Sequence, residues 1–232
     1  IPYKDFGLPM GFTFWVIPAI FFKIFGPYLI SLVKAQVVVN IIGGFAFLSI
    51  LRSFSISRPL RFLCLLVFCI SYSFFNFWPW YDQSVIVFEI VEISFVLKFC
   101  FSENSRGRYL YLVLGAIFSF ISIFTKQDGG GMGFIICFSL LAYHAIFDRG
   151  IKHLFLYLVV FVLTACLVVI PFLPYNFSYW FNYGQSYQNS RLSIYDIISI
   201  LLTESAWIKV YLLVIILMLV SRSRKSSKLY RD

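Results

Sequence analysis

The chain alternates between long apolar runs and short polar breaks. Each run has about the length of a membrane-crossing helix, which is roughly 17–25 residues. Seven such runs cover residues 28–51, 59–76, 84–101, 109–125, 132–147, 153–174 and 205–220. The pattern predicts an all-α fold, a polytopic bundle of about seven transmembrane helices that forms a single domain, residues 1–232.

The composition agrees with a membrane protein. Hydrophobic residues make up 61% of the 232 residues, and charged residues make up 12%. Soluble domains have roughly 45–50% apolar residues and about 25% charged residues. The five cysteines lie within apolar runs and lack the paired spacing of a metal site, so we interpret them as small buried hydrophobic residues. His144 and His153 have no partners at ligand spacing, and no metal is assigned to them.

The basic residues predict the orientation of the spans, because cytoplasmic loops collect Lys and Arg. If residues 28–51 cross from the outside inward, thirteen of the 19 basic residues fall on the cytoplasmic side. The polar breaks around residues 78–83 and 126–131 then lie outside. The net charge of +9 reflects this bias and a basic tail that can rest on anionic headgroups, so we expect no nucleic-acid binding.

Residues 10–26 form a further apolar segment, which is rich in Phe and Trp and contains Pro18 and Lys23. Aromatic rings favour the membrane interface, so we expect a helix that lies in the outer interface. The loop charges are also compatible with an eighth span. In that case the polar stretch before it would lie in the cytoplasm.

Three carboxylates fall near one helix face that starts in the outer loop and continues into the predicted span 84–101. Asp82, Glu89 and Glu92 are separated by seven and three residues, which are spacings that repeat on an α-helix. Carboxylates within the hydrocarbon are costly and usually face a polar cavity or a partner. We therefore expect this face to line a cavity, although the aromatic residues around Asp82 suit the interface in any case.

Three other features have both a functional and a structural interpretation. Asp5, in a polar and turn-rich stretch, could take a proton from an attacking hydroxyl or be a solvated loop residue. Lys34, about seven residues into an apolar span, could hold a lipid phosphate or extend to the headgroups. Lys126 precedes glycines at 129–131, which could admit a ligand or form a tight turn between helices.

Several motifs occur in a characteristic order. They are Tyr3-Lys4-Asp5 with Pro9-Met10-Gly11, Phe22-Lys23-Ile24-Phe25-Gly26, Lys34, Pro79-Trp80-Tyr81-Asp82-Gln83 and Phe124-Thr125-Lys126-Gln127-Asp128-Gly129. This ordered set resembles the C-type glycosyltransferase superfamily, specifically the bacterial relatives of protein O-mannosyltransferases and of the lipid A aminoarabinose transferase. The resemblance extends over roughly residues 1–190.

The resemblance implies a membrane glycosyltransferase of the bacterial inner membrane with its active site on the periplasmic or external side. Such an enzyme transfers a sugar from a polyprenyl phosphate donor to a lipid, glycan or protein acceptor. Asp5 matches the catalytic Asp of the first outer loop and would be the general base. The candidates for binding the donor phosphate are Lys4, Lys34 and Lys126.

The resemblance also suggests further contacts at this outer site. Asp82 and Asp128 are weak candidates for a divalent metal, because oxygen ligands suit Mg²⁺ or Mn²⁺. The expected substrate-binding residues are Tyr3, Tyr81, Gln83, Gln127 and Glu89.

The family normally has a transmembrane helix before the first outer loop and a longer C-terminal part. We therefore expect this chain to be a fragment that lacks both, and such a fragment need not be active.

Two other functions stay open: a transporter or flippase of lipid-linked saccharides, and a polymerase or ligase of surface polysaccharide. Transporters often contain inverted repeats, which we do not find. Ligases use a large outer loop with several Arg residues. The longest predicted outer loop here, residues 175–203, contains one basic residue, Arg191.

Overall fold

The computed structural model describes residues 5, 11–73, 78–101, 105–147 and 150–175. These residues form helices and no strand, as the apolar pattern predicted, and all belong to one compact unit. The seven α-helices within these ranges are α1 Thr13–Phe25, α2 Leu29–Ser53, α3 Arg58–Phe68, α4 Tyr81–Phe101, α5 Ser105–Thr125, α6 Gln127–Phe147 and α7 Ile151–Val169. A π-helical turn, Cys69–Ser73, continues α3, and a 3₁₀ turn, Ile170–Phe172, follows α7.

Four of the described helices are long and apolar enough to cross a membrane, which indicates an integral membrane protein. They cover Leu29–Ser53, Gly107–Thr125, Gly129–Phe147 and Ile151–Phe172. The predicted spans 59–76 and 84–101 correspond to α3, which is shorter, and to α4, which carries three charged side chains within that span. The predicted span 205–220 lies outside the described residues.

The aromatic segment before the first span forms α1, a helix of 13 residues. At about 1.5 Å per residue its length is about 20 Å, well short of the roughly 30 Å hydrocarbon core. This length favours the interfacial interpretation over an eighth span. The helix ends at Gly26, whose φ of 86° suits glycine, and the following Pro27 lacks the N–H that a continuing helix needs.

Helix α4 lies at the centre of the described bundle, where it packs against α2, α5 and α6. Helix α5 also packs against α6 and α7, whereas α3 packs on α2 and buries none of its side chains. The largest hydrophobic cluster joins α4, α5, α6 and α7 through Val96, Phe99, Leu112, Ala116, Cys137, Leu141 and Tyr157. These antiparallel helices bring the starts of α4 and α6 and the end of α5 to one end of the bundle.

The sequence predicted that all five cysteines are buried, and the structure fully buries one of them. Cys137 is buried, whereas Cys69 and Cys166 are exposed on the bundle surface and the other two are partly buried. The prediction of burial was wrong for the exposed pair because lipid-facing and core-facing positions of a membrane helix are both apolar. A free cysteine is compatible with either environment.

The Gly-rich stretch, for which a tight turn was one of two interpretations, is helical. A single residue, Lys126, separates α5 from α6, and α6 begins at Gln127 rather than near residue 132. Glycine is a poor helix former, but at position 130 helix α5 approaches too closely for a larger residue. A methyl group on Gly130 would overlap the backbone of α5 at Ser122 and Ile123.

Candidate functional site

The starts of α4 and α6 meet at an ion pair between two predicted site residues. The ammonium of Lys126 lies 2.5 Å from Oδ1 of Asp82, and both side chains are partly open to solvent, at 31% and 42% exposure. The sequence predicted both residues for the outer side without predicting this contact. The pair keeps a cation accessible at the end of the bundle.

One aromatic ring contacts the ion pair and packs against two others. The Lys126 ammonium lies 5.7 Å from the ring centroid of Tyr81, within the range of a cation–π contact. The Tyr81 ring in turn lies 5.2 Å from Trp80 and 6.3 Å from Phe14 of α1. Aromatic faces of this kind can pack against the apolar face of a sugar ring, while the cation attracts a phosphate.

The segment that precedes α1 is fixed to the same end of the bundle. Gly11 lies so close to the backbone carbonyl of Phe124 that a methyl group there would overlap it. Thr13 and Thr125 hydroxyls lie 2.6 Å apart. Because Thr125 donates to the Ile121 carbonyl, Thr13 is the donor in this pair. These contacts bring residues 11–13 close to the end of α5, which Lys126 follows.

Glu89 and Glu92 of α4 both face α6, so these two carboxylates share one helix face, as their spacing predicted. A methyl group on Gly129 would come within 3.5 Å of Glu89 Oε1, and one on Gly133 would overlap Glu92 Oε1. Glycines on α6 thus make room for two acidic side chains. This is the packing role of small residues between membrane helices, where it lets backbones approach closely.

Glu92 is the most deeply placed of these carboxylates. Its exposure is 0%, and neither carboxylate oxygen has a hydrogen-bond partner among the described residues. Ser119 lies beside it, but the Ser119 hydroxyl is 2.6 Å from the Tyr157 hydroxyl of α7. A buried carboxylate is unfavourable unless it is protonated or paired, so this position marks a polar site in the bundle interior.

The remaining predicted residues are more scattered. Asp5 is exposed in a turn, Gln127 is exposed at the start of α6, and Gln83 is partly buried in the first turn of α4. Lys34 lies 4.1 Å from the ring centroid of Phe25, at the opposite end of α1 from Phe14. Tyr3, Lys4 and the side chain of Asp128 lie outside the described residues.

The divalent-metal hypothesis does not fit the donors that the structure describes. Asp82 Oδ1 already meets the ammonium of Lys126, which a metal ion would have to displace. In the described ranges, no group of three His, Cys, Asp or Glu side chains could hold a metal ion. We derive no chemical step through a metal.

The other end of the bundle contains a basic cluster that the sequence did not predict. Arg108 lies 2.6 Å from His144, and the His144 and His153 rings are 6.1 Å apart. Local spacing did not reveal this cluster, because its members come from different helices. The antiparallel order of the helices could have revealed it, since that order brings the start of α5, the end of α6 and the start of α7 together.

Comparisons with known proteins give no match. No protein-family model, no curated protein and no solved structure matches this chain. A function must therefore be inferred from the residues and their geometry.

Proposed function

We propose that the chain is part of a membrane glycosyltransferase that transfers a sugar from a polyprenyl phosphate donor to a lipid, glycan or protein acceptor. The reaction would take place at the outer face of a bacterial inner membrane. The observation that carries the proposal is the accessible Lys126 ammonium, held by Asp82 beside the ring of Tyr81.

Lys126 suits the donor phosphate for electrostatic reasons. Its ammonium is a compact point charge with three donors, and it sits at the end of a helix bundle where a lipid phosphate would lie. The contact with Asp82 fixes the side chain before substrate binds. A partly exposed pair of this kind is weak, so a phosphate oxygen can take a share of the ammonium hydrogen bonds.

In the proposed reaction the acceptor hydroxyl attacks the anomeric carbon of the sugar. The bond from that carbon to the phosphate oxygen breaks, and the polyprenyl phosphate leaves with the bonding electrons. Asp5 takes the hydroxyl proton as general base. Lys126 stabilises the negative charge that develops on the leaving phosphate.

Chain length permits Asp5 to reach this site. Gly11 is fixed against Phe124, two residues before Lys126. The six residues from Asp5 to Gly11 span at most about 20 Å when fully extended. This length is compatible with an Asp5 carboxylate that meets a substrate in contact with Lys126.

The test is sugar transfer by the full-length protein in proteoliposomes that contain a polyprenyl-phosphate-linked sugar. Lys126→Gln should lower the transfer rate about 100-fold or more, as expected for loss of one charge-stabilising donor, and Lys126→Arg should restore part of it. Asp5→Asn should abolish transfer. Arg58→Gln is the matched control, because this exposed residue starts α3 on the predicted inner side.

Each variant can contradict a separate part of the proposal. Transfer that is unchanged in Asp5→Asn removes Asp5 from the mechanism. Transfer that is unchanged in both Asp5→Asn and Lys126→Gln rejects the outer site itself. Protein levels in the membrane, measured for every variant, separate these outcomes from failed insertion.

The buried Glu92 carboxylate favours a second candidate, a transporter of lipid-linked saccharides. Ionisable residues inside membrane bundles commonly line ion or substrate paths. This function predicts flux of a labelled lipid-linked sugar across proteoliposomes without any glycosyl transfer. Glu92→Gln should then abolish the flux, whereas flux that is absent from the wild type rejects this candidate.

A further inference from the structure

Arg108 connects three helices at the end of the bundle opposite to Lys126. Its Nε donates to the Phe99 carbonyl of α4 at 2.9 Å, and its Nη2 lies 2.6 Å from Nε2 of His144 on α6. The guanidinium also stacks over the Phe99 ring at 4.5 Å. Because a guanidinium can only donate, His144 accepts through Nε2 and carries its own proton on Nδ1.

His153 completes the cluster from the first turn of α7. The centroid of its ring lies 5.1 Å from that of Phe99 and 5.6 Å from that of Tyr109. Its Nδ1 is buried without a hydrogen-bond partner among the described residues. An imidazole nitrogen in that position needs a donor or an acceptor that the described side chains do not supply.

The two histidines converge on Gly150. A methyl group there would come within 2.8 Å of His153 Nδ1 and 3.5 Å of His144 Nδ1. Gly150 also precedes α7 as its N-cap, and no side chain caps this helix. The N-terminus of α7 thus lies next to both imidazoles, and a helix N-terminus favours an anion.

The surrounding sequence adds further positive charge. The segments that adjoin these residues in sequence, 103–108 and 148–152, contain Arg106, Arg149 and Lys152 besides Arg108, against the acidic Glu103 and Asp148. The loop charges predict that this end of the bundle faces the cytoplasm. Basic pockets between transmembrane helices on that side commonly bind phosphate-bearing lipid headgroups.

We propose that Arg108, His144 and His153, together with the N-terminus of α7, form a binding site for a phosphate group at the cytoplasmic end of the bundle. The ligand is the phosphate of an anionic phospholipid of the inner leaflet or a free phosphate ion. The guanidinium and the imidazoles donate to the phosphate oxygens. The site lies at the opposite end from the glycosyl-transfer site and does not depend on that activity.

The test compares the thermal unfolding midpoint of the full chain in three nanodisc preparations. The first contains phosphatidylcholine alone, the second contains added phosphatidylglycerol, and the third contains phosphatidylcholine with inorganic phosphate in the buffer. We expect phosphatidylglycerol or phosphate to raise the midpoint by about 3–6 °C, as for a ligand at about ten times its Kd in a chain of this size. A rise with phosphatidylglycerol alone identifies a lipid, and a rise with phosphate alone identifies the free ion.

Two variants should lose this rise. His153→Phe keeps a ring against Phe99 and Tyr109 but removes the nitrogens, and Arg108→Gln removes the guanidinium. The rise is measured within each variant against its own midpoint in phosphatidylcholine, so a general loss of stability does not mimic the result. Arg52→Gln is the control, because Arg52 is an exposed basic residue in the last turn of α2, on the predicted cytoplasmic side and outside the cluster.

The proposal is rejected if the wild type shows no rise in either preparation. It is also rejected if His153→Phe and Arg108→Gln keep the full rise, or if Arg52→Gln loses it to the same extent. Absence of sugar transfer in the separate activity assay would leave this measurement unaffected, so the two proposals fail independently.

Discussion

At the scale of single residues, glycines determine where acidic side chains can be buried. A methyl group on Gly133 of α6 would overlap the Glu92 carboxylate, whereas one on Gly131 would meet no neighbouring atom within 4 Å. The two glycines are two residues apart on the same helix. They therefore have the same intrinsic helix propensity but opposite packing requirements.

Substituting each glycine by alanine separates these effects. Gly133→Ala should lower the free energy of unfolding by about 1–3 kcal/mol, because the new methyl group overlaps a carboxylate in a packed interior. Gly131→Ala should leave stability unchanged or raise it by up to about 1 kcal/mol through better helix propensity. Thermal unfolding in detergent measures both, and equal effects at the two positions would contradict the packing described for Glu92.

The Asp82–Lys126 pair should contribute little to stability despite its short distance. Both side chains are partly exposed, and such pairs contribute about 0.2–1 kcal/mol. A double-mutant cycle with Asp82→Asn and Lys126→Gln measures the coupling energy. A coupling above about 2 kcal/mol would indicate a structural role for the pair rather than the substrate-binding role proposed for Lys126.

At the scale of helices, a buried hydrogen bond joins α5 to α7. The Ser119 and Tyr157 hydroxyls are 2.6 Å apart, and both residues have 0% exposure. Tyr143 of α6 offers a matched comparison, because 64% of it is exposed.

Tyr157→Phe should lower the free energy of unfolding by about 1–3 kcal/mol, because it leaves the Ser119 hydroxyl buried without this partner. Tyr143→Phe should change it by less than about 0.5 kcal/mol, as is usual for exposed positions. Chemical unfolding of both variants in the same detergent gives the comparison. A loss of stability in Tyr143→Phe as large as in Tyr157→Phe would show that the bond is not responsible.

The apolar runs predicted the existence of the described helices well and their contacts poorly. The bounds of α2 and α5 lie within a few residues of the predicted spans. The start of α6 was missed because glycines discourage helix in isolation, while close packing against α4 and α5 favours them here. The basic cluster of Arg108, His144 and His153 was missed because contact between distant segments is absent from local sequence.

At the scale of the whole molecule, the two ends of the bundle have different chemistry. One end presents an ammonium, a carboxylate and aromatic rings, and the other presents a guanidinium and two imidazoles. The charge distribution along the sequence predicts that these ends lie on opposite sides of the membrane. The prediction follows from the order of the spans, because successive spans place alternate loops on opposite sides of the membrane.

Single cysteines at two exposed positions test this orientation. Trp80→Cys, before α4, should react with a membrane-impermeant maleimide added to intact cells, and Ser57→Cys, before α3, should react only after the membrane is permeabilised. Both residues are exposed, so reagent access is not limited by packing. The native cysteines are replaced by Ala or Ser in both variants, and the reverse labelling pattern would invert the proposed orientation.

The single-residue connection between α5 and α6 has a mechanical consequence. Lys126 has backbone hydrogen bonds to both neighbours, from its N–H to the Ser122 carbonyl and from its carbonyl to the Gly130 N–H. The two helices are therefore joined at that end without a flexible loop, and we expect a displacement of the Lys126 backbone to move both of them. Arg108 and His144 lie near the far ends of the same two helices, so such a displacement would reach the opposite end of the bundle.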